Sequence, residues 1–167
     1  PSIKKDSNLK VEEMNAMTVA YIAINTTHKY LSDARVRKAI DIAFDKEAAV
    51  NALFGKGNAT VAVNPYPDTL LGYNHTLKNP TRDLDKARAL LKEAGVPEGT
   101  TFTLFTRNGG GATNPNPMLG AQMMQADLAK VGIKIDIRVM EWGEMLKRAK
   151  NGEHDMVSAG WAGDNGD

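Results

Sequence analysis

The pattern of apolar and polar positions along the chain predicts alternating strands and helices. Residues 17–25 are apolar on both faces, which indicates a central strand, and Ile133 to Met140 alternate, which indicates a half-exposed one. Apolar residues at helical spacing follow the cap residues Asp33, Asp45 and Asp83. Further predicted elements are a strand over 101–106, helices over 118–131 and 141–150, and a short final strand after Gly152. The order predicts an α/β fold with a mixed or mostly parallel sheet flanked by helices.

Length and punctuation indicate how the chain is organised. With 167 residues, 42% of them hydrophobic, residues 1–167 are expected to form a single domain around one core. Residues 1–16 are polar and lack periodicity, so we expect an extended lead-in there. Residues 56–80 form a proline-rich loop whose apolar side chains could wall a ligand or cover the core.

Charge and composition exclude several classes of function. Twenty-one basic residues stand against 20 acidic ones, and the net charge of +1 predicts neither a nucleic-acid partner nor a membrane-surface helix. No run of 18 apolar residues is present, so direct membrane insertion is not expected. The absence of cysteine excludes disulfides and thiolate metal sites. No nucleophile–base motif or metal-ligand spacing occurs, so we predict no enzyme, no catalytic residue, no metal and no cofactor.

The final stretch of the chain carries the candidate binding chemistry. After the predicted last strand, small residues surround Trp161, whose ring offers a broad apolar surface. Gly160, Ala162 and Gly163 would let a ligand approach the main chain, and Asp164 could accept hydrogen bonds from an ammonium group. A second candidate is the glycine-rich loop over 107–117, which follows a strand and opens a helix. It lacks the residues of a phosphate loop, but an anion facing its helix amino terminus is reasonable.

The same residues carry a family resemblance. Trp161, two small residues and an Asp-Asn-Gly-Asp run after a strand resemble the ligand loop of dipeptide-binding proteins in the peptide/nickel/opine group of ABC-transporter solute-binding proteins. Residues 19–27, 33–40, 114–116 and 141–148 agree with that group in order and spacing. The resemblance implies one lobe of a type II periplasmic-binding-protein-like fold. Because members of the group are two-lobed and longer, the chain is expected to be most of one lobe.

The resemblance also implies a function and partners. It implies delivery of di- or oligopeptides to the membrane subunits of an ABC importer, in the periplasm or lipid-anchored outside a Gram-positive cell. Asp164 would pair with the α-ammonium of the peptide, while Trp161, Gly160, Ala162 and Gly163 would form a wall and main-chain contacts. A second lobe of the same protein would complete the site.

The chain departs from that family at one position. Its dipeptide-binding members hold the peptide carboxylate with an arginine three residues before the Asn-Pro-Asn triplet, and Gly111 occupies that position here. Arg107, four residues earlier, is the candidate replacement. Two alternatives therefore stay open: binding of haem or a modified peptide such as glutathione by the same fold, or a ligand-silent structural or antigenic fragment.

Overall fold

The computed structural model describes residues 10, 12, 16–68 and 70–163. The expected lead-in over 1–16 therefore lies mostly outside the described residues. Within them the sheet strands are β1 (Thr18–Ile24), β2 (Thr101–Arg107), β3 (Lys134–Met140) and β4 (Met156–Ala162). The helices are α1 (Ala34–Ala43), α2 (Lys46–Phe54), α3 (Leu84–Glu93), α4 (Pro117–Ala129) and α5 (Trp142–Lys150).

Side-chain caps set the beginnings of the helices. Asp33, Asp45 and Asp83 each accept a hydrogen bond from a backbone N–H in the first turn of α1, α2 and α3. Asn116 does the same for α4, with Pro117 in the first helical position. These contacts satisfy donors that a helix leaves unpaired at its amino terminus, which is why these residue types predict a helix start.

The sheet is mixed, as the sequence predicted. Its strand order is β1-β4-β2-β3, with β2 parallel to both β3 and β4, and β1 antiparallel to β4. The prediction of a central first strand is wrong, because β1 lies at the edge of these four strands. Its apolar residues nevertheless serve both faces: Ile22 and Ile24 pack on the larger core, whereas Ala23 packs on the smaller one.

The two faces of the sheet are covered unequally. On one face, which we call the closed face, Phe102, Leu104, Ile135 and Met156 join buried residues of α1, α3 and α4 in the main core. On the other, which we call the open face, Phe105, Met140 and Val157 pack with Met145 of α5. Alternation along the strands assigns these residues to opposite faces. Among the described helices, α5 is the one that packs its buried residue on the open face.

The long loop over 56–80 contains no helix or strand among its described residues. Tyr66 and Tyr73 pack edge to face with ring centroids 6.1 Å apart, and neither belongs to the two core clusters. Leu71, one of the apolar side chains of this loop that could wall a ligand or cover the core, is fully exposed, so it does not cover the core. Among the described residues of the loop, these two rings therefore pack on each other outside the two core clusters.

Candidate functional site

Exposed aromatic side chains gather on the open face. Trp161 of β4 is 61% exposed, and Trp142, at the start of α5, is 41% exposed. Tyr21 of β1 is opposite Ala159 of β4, so it projects from the same face as Trp161. Soluble proteins bury most aromatic surface, and grouped exposed rings mark places where a ligand or another polypeptide binds.

The structure changes the expected setting of Trp161. Trp161 and Ala162 lie in strand β4 rather than in a loop, opposite Val19 and Thr18 of β1. The prediction of a loop at these two positions is wrong because pairing with β1 gives their backbone groups partners. Tertiary pairing of this kind overrides the weak strand preference of small residues. The Trp161 side chain is consequently fixed on a strand and points away from the closed face.

The neighbouring predicted residues fall into three situations. Gly163 follows the strand, and its N–H donates to the carbonyl of Met17 over 2.8 Å. Gly160 faces the glycine-rich loop, because a Cβ added there would collide with the side chain of Thr113. Asp164 lies outside the described residues, so its pairing with an ammonium group stays a prediction, as do the ligand contacts of Gly160, Ala162 and Gly163.

Arg107 ends β2 on the open face, beside the ring of Trp142. Its guanidinium carbon lies 5.2 Å from the ring centroid of Trp142. The residue is half-buried, and within 16–68 and 70–163 its side chain makes no hydrogen bond or ion pair to a protein group. A cation held over an aromatic face keeps its donors available at the ring edge. Arg107 can therefore present hydrogen-bond donors to an anionic group.

The loop after β2 fits closely around Arg107. Nη2 of Arg107 occupies the space that a Cβ of Gly111 would need, and the Gly111 N–H donates to the Asn114 carbonyl over 2.8 Å. Thr113, in the same loop, lies against Gly160 of β4. Gly111 thus allows the loop after β2 to lie close to Arg107, and Gly160 allows the same loop to lie close to strand β4.

The amino terminus of α4 lies at the end of the same loop. The side chain of Asn116 accepts from the Leu119 N–H over 3.1 Å, and Asn114 accepts from the Asn116 N–H over 3.0 Å. The asparagines therefore satisfy two of the amides at this terminus. The expectation of an anion facing this helix end stays a prediction.

A polar cluster lies at the opposite end of β4. Asp155 accepts from the backbone N–H and the hydroxyl of Thr103 and lies 2.8 Å from Nδ1 of His28, linking β2 to the segment after β1. Burial lowers the pKa of His154, with a smaller lowering from His28 and an opposing effect from Asp155. His154 Nδ1 is buried without a hydrogen-bond partner. These side chains hold the strands together at the end of the sheet remote from Trp161.

Neither a metal site nor a membrane-spanning helix is found in the part of the chain that the structure describes. No group of three or more His, Asp or Glu side chains there is arranged to hold a metal ion. No described helix is long and apolar enough to cross a bilayer.

Sequence reasoning missed the role of Trp142. The helical spacing of Trp142, Met145, Leu146 and Ala149 in the sequence predicts that all four face inward. In α5 only Met145 is buried, and Trp142 and Leu146 are exposed. Because this nine-residue helix contacts the sheet mainly through Met145, the other apolar residues of its stripe remain at the surface. The width of the stripe was the available signal, since it exceeds what one contact line buries. Tyr21 had no such signal, because its position depends on how β1 pairs with β4.

An α/β unit with exposed aromatic rings and an accessible arginine around the carboxyl ends of neighbouring parallel strands has the character of a ligand-binding lobe. A family model described as bacterial extracellular solute-binding proteins, family 5 Middle, matches residues 1–167. The chain belongs to this family.

Characterised relatives share the match over the whole chain. The chain is 59% identical over 167 residues to di/tripeptide-binding protein 4 of Pseudomonas aeruginosa, covering 100% of this chain and 31% of that protein. It is 39% identical over 165 residues to heme-binding protein A of Haemophilus influenzae, covering 99% of this chain and 30% of the relative. The chain therefore spans about a third of the length of these relatives.

A solved structure shares the fold. The ABC transporter-associated periplasmic binding protein DppA from Helicobacter pylori, in complex with the peptide STSA, superposes with a TM-score of 0.84 at 39% identity. The match covers 99% of this chain and 31% of that protein. The α/β lobe predicted from the sequence is confirmed by this agreement.

Proposed function

We propose that this chain is the peptide-binding part of an extracytoplasmic solute-binding protein that delivers di- or oligopeptides to an ABC importer. The observation that carries the proposal is the 59% identity, over the entire chain, to a di/tripeptide-binding protein. Such a protein acts by binding and release rather than by catalysis. Its partners would be a peptide, the importer membrane subunits and a second lobe of the same polypeptide, with the periplasm as its location.

The open face offers groups suited to a peptide. Trp161 supplies an exposed apolar surface for a side chain, and Arg107 supplies unused donors for a carboxylate. Gly160, Ala162 and Gly163 would add main-chain contacts, and Asp164 would accept from the α-ammonium. The surface is open to solvent in this chain, whereas small-ligand sites bury most of the ligand. A second lobe would supply the missing enclosure.

Substitution of Asp164 tests the proposed contact with the ammonium. In the full-length protein, Asp164→Asn should weaken tri-alanine roughly tenfold or more, because a charge-assisted hydrogen bond contributes about 1.5–3 kcal/mol. It should leave N-acetylated tri-alanine, which has no ammonium group, nearly unchanged. Isothermal titration calorimetry measures both affinities. Equal weakening of the two peptides would show that Asp164 does not bind the ammonium.

Haem is the second candidate ligand. The identity of 39% to heme-binding protein A favours it, and the exposed rings of Tyr21, Trp142 and Trp161 could pack on a flat apolar molecule. Addition of haem to the full-length protein should then shift the Soret absorption band. A titration without a shift, alongside calorimetric binding of tri-alanine, would leave the peptide proposal alone.

A further inference from the structure

The lack of a side chain at Gly111 has a steric role rather than a conformational one. The backbone of Gly111 lies outside the left-handed region that favours glycine, so any residue could adopt its conformation. What excludes a side chain is the Arg107 guanidinium, whose Nη2 occupies the Cβ position. The three heavy atoms nearest to that Cβ all belong to the Arg107 guanidinium.

Within the described residues, the Arg107 guanidinium is held beside Trp142 and Gly111 without an acidic side chain as its partner. We call this position the seat of Arg107. Trp142 lies on one side of the guanidinium at 5.2 Å, and Gly111 lies against Nη2. In the described residues no carboxylate pairs with Arg107, although the side chains of Arg35, Arg82, Arg88, Arg138 and Arg148 each pair with one. A half-buried cation loses hydration and ordinarily recovers that cost from a hydrogen-bonded anion. The missing anion is therefore expected to come from outside these residues.

We infer that Gly111 is a positioning residue, which seats the Arg107 guanidinium against Trp142 so that it receives the carboxylate of a peptide ligand. The inference rests on the proposed peptide-binding function and adds a preference for ligands with a free carboxylate near Arg107. The seat fixes the guanidinium before the ligand arrives, which reduces the side-chain ordering that binding would otherwise require.

The substitution Gly111→Ala separates this role from one in folding. The nearest atoms that a methyl group there would meet are those at the flexible end of the Arg107 side chain, so the fold should persist while the guanidinium is displaced. Gly120→Ala is the matched control, because a Cβ on Gly120 makes an ordinary contact of 3.6 Å with Leu53 Cδ1 and leaves Arg107 untouched. Both variants should unfold within a few degrees of the parent protein.

The experiment compares tri-alanine with its C-terminal amide, using calorimetry on the full-length protein. Gly111→Ala and Arg107→Gln should each weaken tri-alanine roughly tenfold to hundredfold, as expected for a charge-assisted bond, and weaken the amide much less. The double variant should match Arg107→Gln alone, because both changes remove one interaction. Gly120→Ala should bind both peptides as the parent protein does.

Other outcomes overturn specific steps. If the parent protein binds neither peptide, the proposed function fails and the inference fails with it. If the parent binds tri-alanine but Gly111→Ala leaves its affinity unchanged, or weakens both peptides equally, only the inference fails. If Gly111→Ala does not fold, Arg107→Gln still decides whether the carboxylate is received at Arg107. If both variants fold and the affinity losses add in the double variant, Gly111 has a separate role and the inference fails.

Discussion

The two faces of one sheet differ in how completely this chain covers them. The closed face packs against three helices, and its central side chains, such as Leu104 and Met156, are fully buried. Of the helices that the structure describes, α5 is the one that packs on the open face, which leaves Tyr21, Trp142 and Trp161 exposed. Burial of apolar surface provides most of the free energy of folding. The closed face therefore carries the stability of the chain, and the open face is the one available to a ligand or to further polypeptide.

The largest expected effect tests this division directly. Leu104→Ala on the closed face should lower the free energy of unfolding by about 2–5 kcal/mol, because it opens a cavity in a fully buried core. Trp161→Ala on the open face should change it by no more than about 0.5 kcal/mol, since the ring is mostly exposed. Urea denaturation measures both. Similar losses for the two variants would break the comparison.

An intermediate effect is expected from the acid that joins α2, α4 and the segment before α3. Asp127 is buried and accepts from Arg82 Nη2 and Lys130 Nζ over 2.7 Å, and from the Asp45 N–H over 2.9 Å. Asp127→Asn should cost about 1–3 kcal/mol, because buried donors lose their charged acceptor. On the open face, the equivalent change at Asp136 breaks an exposed pair with Arg138 and should cost about 0–1 kcal/mol.

The pKa of Asp127 provides a second test of its environment. Burial raises the pKa of Asp127, but the Lys130 hydrogen bond, the Asp45 amide and the nearby cations together hold it below its ordinary value of 3.8. A carboxylate whose pKa is lowered by folding stabilises the protein at pH values above its unfolded pKa. This stabilisation is lost as the pH falls through the folded pKa. The parent should therefore lose stability below pH 3.8 more steeply than Asp127→Asn. Denaturation curves at several acidic pH values would show equal slopes if Asp127 were uncharged in the fold.

The smallest effect concerns His154, which lies beside Phe105 of the open-face cluster with ring centroids 6.0 Å apart. Because burial lowers its pKa below 6.5, the unfolded chain binds the proton more tightly. Stability should consequently decline as pH falls from 6.5 towards the folded pKa. The slope should be shallow, since the ring keeps part of its contact with water, and His154→Phe should reduce it. Thermal denaturation across this range would contradict the assignment if the variant kept the full slope.

Local chemistry allowed most of the elements to be predicted. The acids at Asp33, Asp45 and Asp83 begin helices because their carboxylates accept from first-turn amides, an interaction that depends on nearby residues alone. The strands over 101–107 and 134–140 follow from alternation in the same way. Such features require no knowledge of distant parts of the chain.

Long-range pairing decided the features that the sequence did not predict. The edge position of β1, the strand conformation at Trp161 and the exposure of Trp142 all depend on which segments lie side by side. The seat of Arg107 depends likewise on how a loop folds back on the strand that precedes it. The candidate residues Trp161 and Arg107 could be selected by residue type, but their shared face could not be foreseen.

The antiparallel pairing of β1 with β4 places the beginning of β1 beside the end of β4. Thr18 lies opposite Ala162, at the usual spacing of about 5 Å between neighbouring strands. Polypeptide flanking these two strand ends in a longer protein would thus leave the sheet as two neighbouring backbone segments. The α/β unit could rotate about these two connecting segments with little change to its interior, because only two backbones would have to bend.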